Sequence, residues 1–159
     1  MANLTGIREI FSGDTTIVNT VAQYPMLSRA RDENGNEYIY LTGCSSTVLG
    51  SWVTYDELGA TTLLAANAKG FVAVAMAAID STSEYGWYCI FGNVEARVVT
   101  DTSADTSCGR ETADGCVGDG RAAGDEIIGA MIRDGNATGS TAALTCQISY
   151  PFVNDATGA

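Results

Sequence analysis

The hydrophobic pattern of this 159-residue chain changes period along its length, and its most apolar stretch lies near the middle. From Phe71 to Ile79, one side of an extended strand carries Phe71, Ala73, Ala75, Ala77 and Ile79, and the other carries Val72, Val74, Met76 and Ala78. Such a strand has no wet side and must be covered twice. The alanines between Leu63 and Ile79 offer a helix as the competing reading. Gly70, the period-two alternation and the turn-forming Asp80 to Ser83 favour the strand. Tyr88 to Val99, rich in aromatic and β-branched residues, reads as its hairpin partner, with Gly92 marking a bulge or a close backbone approach.

The same reasoning extends outward. Asn34-Gly35 signals a turn before an alternating strand from Glu37 to Thr42. Gly43 to Gly50 is a Ser/Thr/Gly loop, Trp52 to Tyr55 a strand, Asp56 to Ala60 a turn and Thr61 to Ala65 a further strand. Beyond the central pair, Glu126 to Ile132 and Ala142 to Tyr150 read as strands around a turn at Asp134 to Ser140. In the last strand Leu144, Cys146, Ile148 and Tyr150 alternate with Thr145, Gln147 and Ser149, one face in and one out. Seven or eight short strands at this spacing predict an all-β fold, a small antiparallel sandwich or barrel spanning 37–159. Met1 to Asn36 precedes it as an extended N-terminal arm. Its apolar anchors, including Ile7, Ile10, Phe11, Val18, Tyr24, Met26 and Leu27, follow no helical stripe, and Pro25 pushes Tyr24 toward an extended conformation. Such an arm packs either on its own domain or on a neighbour.

Charge refines this picture. The net charge is −11, from 19 acids against 8 bases, and such a chain repels phosphate backbones. Met1 to Arg31, with Arg8, Arg29 and Arg31 against Glu9 and Asp14, is slightly positive, so the acidity belongs to the body. Two readings follow, a solvated acidic surface or an arm that docks while the acidic body faces water. Thr100 to Asp125 concentrates acids and glycines and reads as a surface excursion. No apolar run is long enough to cross a bilayer as a helix, and Met1 to Gly13 has no signal-peptide pattern, so the expectation is a cytosolic product with no membrane partner.

Candidate chemistry is sparse. The absence of histidine removes the commonest general base and zinc ligand, and no enzyme activity or cofactor is expected. Ser45 and Ser46 beside Cys44 are turn formers before they are nucleophiles. Asp114, Asp119, Asp125 and Glu126 do not match an EF-hand loop, which needs oxygen ligands where Cys116 and Gly118 stand, so no metal site is assigned. The five cysteines form no Cys-x-x-Cys pair. Cys108 and Cys116 enclose seven residues in the excursion and are the disulfide candidate, formed once the protein meets an oxidising exterior; Cys44, Cys89 and Cys146 read as buried small hydrophobes. The acceptor patterns at Asn3 and Asn136 carry no weight without secretion. Tyr85, Trp87 and Tyr88 form an aromatic hairpin end that covers a core or a subunit contact, or else stacks on a sugar.

Several short motifs together carry a resemblance. Gly43, Trp52-Val53-Thr54-Tyr55-Asp56, Leu64-Ala65-Ala66-Asn67-Ala68-Lys69-Gly70, Val72-Ala73-Val74-Ala75-Met76, Tyr85-Gly86-Trp87 and Tyr150-Pro151-Phe152-Val153 resemble the small capsid decoration (cement) proteins of tailed bacteriophages, over most of Glu37 to Val153. The resemblance implies a structural virion protein on the outer surface of an icosahedral head, made in the host cytoplasm. Its partners would be the major capsid protein and its own copies, a trimer favoured over a dimer. The arm residues Arg8, Phe11, Tyr24, Pro25, Met26 and Arg29 would lie on the capsid protein, and Tyr85, Trp87 and Tyr88 would serve self-association. The excursion around Cys108 and Cys116 departs from that pattern. The alternative is a carbohydrate-binding or adhesin module using Tyr85, Trp87 and Tyr88.

Overall fold

The computed structural model describes residues 13–111, 113–120 and 126–154. They form ten strands and no helix: β1 (Arg29–Arg31), β2 (Glu37–Thr42), β3 (Trp52–Tyr55), β4 (Thr61–Leu63), β5 (Lys69–Ala75), β6 (Tyr85–Val98), β7 (Thr106–Arg110), β8 (Val117–Gly118), β9 (Glu126–Ile132) and β10 (Ala142–Asn154). All belong to one sheet in the order β1-β2-β6-β8-β7-β9-β10-β5-β3-β4, with β6 also pairing with β5 and β10. The run β6-β8-β7-β9-β10 therefore closes on itself, and the all-β, barrel-like architecture expected from the pattern is present. Every pairing is antiparallel except one parallel contact, Val98 with Val117.

The first hairpin follows from Asp32. Its carboxylate accepts from the backbone N–H of Asn34 and of Asn36, from the Asn36 amide and from the Tyr38 hydroxyl, all at 2.8–2.9 Å. Gly35 supplies the positive φ (84°) that the turn needs. Part of the arm thus belongs to the sheet, since β1 pairs residue by residue with β2.

β6 organises the rest. Its first half pairs with β2 and touches β5, and its second half pairs with β10 from Phe91 to Val98. Between the halves the register slips, with Glu37 opposite Phe91 but Tyr38 opposite Cys89. Gly92 follows the slip at φ 110°, and a Cβ on it would collide with the Asn36 side chain, so a bulge and a close approach both occur here and only glycine fits the approach. The bulge reverses the phase of the strand: Trp87 and Cys89 enter one core before it, Val94, Ala96 and Val98 after it.

That core also receives Trp52, Val117, Ile127, Ile132, Cys146 and Ile148. A second core lies on the other side of the sheet, with Ile39, Leu41, Val53, Ala73, Ala75, Tyr88 and Ile90. Val72 to Ala75 is therefore buried on both faces, as its pattern demands. The strand is shorter than Phe71 to Ile79, however. After Ala75 the chain folds back over the second core and inserts Ile79, fully buried, against Gly86, where a Cβ would overlap the isoleucine. Loop residues, not another sheet layer, cover this face.

Two expectations change. The acidic excursion is no solvated tip, because β7 and β8 lie within it and Cys108, Cys116 and Val117 are fully buried. Val117 and the thiols supply the apolar contacts that composition, dominated by surface acids, concealed. In β10 the alternation does not run through Tyr150. Between Ile148 and Phe152, β10 advances four residues while β9 advances two, and Tyr150 takes φ 46°. This corner turns Tyr150 and Phe152 outward and Pro151 and Val153 inward.

Ile79→Ala should cost about 2–5 kcal/mol, because it empties a site walled by backbone, whereas Leu58→Ala at an exposed turn should stay within about 0.5 kcal/mol. Urea unfolding of the two variants measures the contrast.

Candidate interaction surface

Of the arm residues singled out, Arg8 and Phe11 lie outside the described residues. Tyr24 packs edge-on against Tyr40 (5.2 Å, 89°) and lies 5.3 Å from Trp87. Met26 packs against the first core, and the Pro25 carbonyl accepts from the Ser28 N–H and hydroxyl. Asn19 exchanges backbone hydrogen bonds of 2.8 Å with Tyr85 in both directions. Among the described residues, then, 13–28 clasp their own domain. Arg29 differs: it lies on β1 with its guanidinium carbon 5.8 Å from the Tyr150 ring centroid.

The aromatic trio is not a ligand platform. Trp87 and Tyr88 are buried in opposite cores, and half-buried Tyr85 stacks parallel to Tyr40 at 6.4 Å. Of the two uses open to these rings, core covering is what Trp87 and Tyr88 do, so a sugar site built on them is excluded by burial.

Cys108 and Cys116 are both free thiols. Arg110 faces Val117 and Gly109 faces Gly118, so Cys108 and Cys116 sit about three positions out of register, roughly 10 Å along the ribbon. A disulfide cannot span that offset. Burial, reinforced by a hydrogen bond with Cys146, raises the Cys108 thiol well above its ordinary range, and burial pushes Cys89 up to about 12. These are core thiols without nucleophilic character. The Cys44 loop is a turn in which the Thr47 hydroxyl donates to the Cys44 carbonyl at 2.8 Å. Among the described residues no group of three or more His, Cys, Asp or Glu could hold a metal ion, and Asp119 instead accepts from the Ser103 N–H at 2.7 Å. The Asn136 side chain is buried and donates to the carbonyls of Val98, Val99 and Ser140, so this acceptor pattern is a structural staple.

The surface that stands out instead is an apolar row across four strands. Ile128 on β9 faces Phe152 on β10, which faces Phe71 on β5, which faces Tyr55 on β3. Ile128, Phe152 and Phe71 are 63%, 36% and 56% exposed. Phe71 meets Phe152 edge-on at 5.8 Å and Tyr55 at 6.0 Å. Across the Phe71–Tyr55 end of the row runs a groove of about 950 Å³, bordered by these two rings and by Leu27, Arg29, Glu57 and Tyr150. Monomeric domains seldom leave such a contiguous apolar strip in water. Periodicity placed Phe71 in a strand with no wet side and left Phe152 within a motif; alignment of four distant segments, which no local window contains, makes the row.

Buried Glu37 accepts a hydrogen bond from Tyr150, which borders the groove. Burial opposes its ionisation, but hydrogen bonds from the Tyr150 hydroxyl and the Arg31 guanidinium together outweigh that and hold its carboxyl below the usual range. The contact ties β2 to the β10 corner and keeps Tyr150 turned outward.

Comparison of the chain with family models, curated proteins and solved structures gives no match.

Two measurements check this geometry. Because the folded carboxyl of Glu37 is depressed, its contribution is full above the ordinary glutamate value of 4.5 and is lost as pH falls through the lower folded value. Glu37→Gln should therefore lower the thermal midpoint by a few degrees at pH 7, with the gap to the parent closing toward pH 3. Iodoacetamide at pH 8 should leave Cys89, Cys108 and Cys146 unmodified in the native protein and label all five cysteines after denaturation; protection of a Cys108–Cys116 pair in denatured, unreduced protein would contradict the register.

Proposed function

We propose that this chain is a structural virion protein that decorates the outer surface of a tailed-phage capsid, binding the major capsid protein and its own copies. The observation that carries the reading is the set of motifs from Gly43 to Val153, which here fall on a rigid β body with an open apolar face. The body offers adhesion rather than catalysis: a histidine-free sequence, buried cysteines and a row of exposed rings. Capsid contact belongs to the segment that starts the chain, with Arg8 and Phe11, because Tyr24 and Met26 are engaged by the domain itself and Arg29 stands over Tyr150. Many such contacts on a closed shell reinforce one another even when each is weak. The carbohydrate-binding alternative moves to the groove, where Tyr55, Phe71 and Tyr150 stand beside Arg29 and Glu57.

Quantitative mass spectrometry of purified virions should find this chain in fixed ratio to the major capsid protein. A variant lacking residues 1–12 should bind undecorated heads at least about tenfold more weakly than the whole chain. Absence from virions, or undiminished binding by the truncated chain, overturns the reading; quenching of intrinsic fluorescence by soluble oligosaccharides would support the alternative.

A further inference from the structure

The apolar row is charged differently on its two flanks. β10 and β3 both run antiparallel to β5, so Tyr150 lies beyond the row on the side of Ala73, whereas Asp56 and Glu57 lie beyond it on the side of Lys69. Arg29 stands over Tyr150 on the first flank. It also lines the same groove as Tyr55 and Phe71, so the arginine borders the row itself. The second flank carries two acids against Lys69. Positive, apolar and negative bands thus lie side by side on one open sheet face.

We propose that this face pairs with the same face of a second copy, about a two-fold axis lying along the row. A half-turn about that line brings the Arg29 flank of each copy over the Glu57 flank of the other and sets Phe71 and Phe152 against their counterparts. The remaining surface of a chain with net charge −11 repels its own kind, and this face is the place where two copies attract. Self-complementarity also decides the symmetry. An isologous contact uses one patch twice, as this one can be used, whereas a three-fold ring needs two different patches that fit each other. The pairing goes beyond capsid decoration and does not require it.

The test is sedimentation of the free, full-length chain, with no capsid present. The parent should sediment at twice the 16.5 kDa of one chain, dissociating on dilution and at high salt. Phe71→Glu, at a position more than half exposed, should leave the circular dichroism unchanged and yield single chains. Arg29→Glu and Glu57→Arg should each raise the dissociation constant about tenfold or more, and the double exchange should restore pairing. The charge variants carry the test even if Phe71→Glu fails to fold. A parent that stays single at about 100 μM, a parent that sediments as three chains, or a double exchange no better than either single one overturns the proposal. Because heads are absent, its failure leaves capsid binding untouched.

Discussion

One strand, β6, carries the fold, and the constraint it imposes is that a single extended segment must present apolar side chains to two cores in turn. Fourteen residues is long for a strand, and a straight one would keep each side chain on one side throughout. The slip between Cys89 and Phe91, just before Gly92, resolves this by reversing the phase, so Val94, Ala96 and Val98 fill the same core as Trp87 and Cys89. β2 and β5 engage the first half, and β10 and β8 the second. Closure of the ring depends on that division.

Once the strands are placed, hydrogen-bonded polar groups hold the corners. Asp32 ties the first hairpin, Glu37 binds both Arg31 and, 113 residues away in the chain, Tyr150, and Asn136 satisfies its amide on three carbonyls near the last turn. Glu37 and Asn136, the two that are buried, are both paired, which is the condition for keeping them inside. The cysteines complement them: buried without partners in disulfides, they fill space that larger side chains would overpack.

The outer face then acquires its character from the corner in β10. Turning Tyr150 and Phe152 outward adds two rings to a face that already holds Phe71 and Tyr55, and Glu37 locks the turn from beneath. The arm contributes in a divided way. Its described part is bound to the domain through Tyr24, Met26 and Asn19, while Arg29 is left at the border of the apolar row. Core packing and surface recognition are therefore distributed over neighbouring residues of the same short segment.

Much of the local structure was legible from residues alone. Alternation located β2 and β3, aromatic and β-branched content located β6, glycine chemistry located the turn at Asn34-Gly35 and the close approach at Gly92, and the doubly apolar Val72 to Ala75 demanded burial on both sides. These features depend on contacts within a few residues or on backbone geometry, so they are written locally. Tertiary structure decided the rest. It made strands of the acidic excursion, because Cys108 and Val117 join a core built from segments far away in the chain; it sent Trp87 and Tyr88 inward; and it separated Cys108 from Cys116 by register. The row of Ile128, Phe152, Phe71 and Tyr55 belongs to the same class. Its members are neighbours only because four strands align, and cross-strand register is a property of the assembled sheet rather than of any one segment.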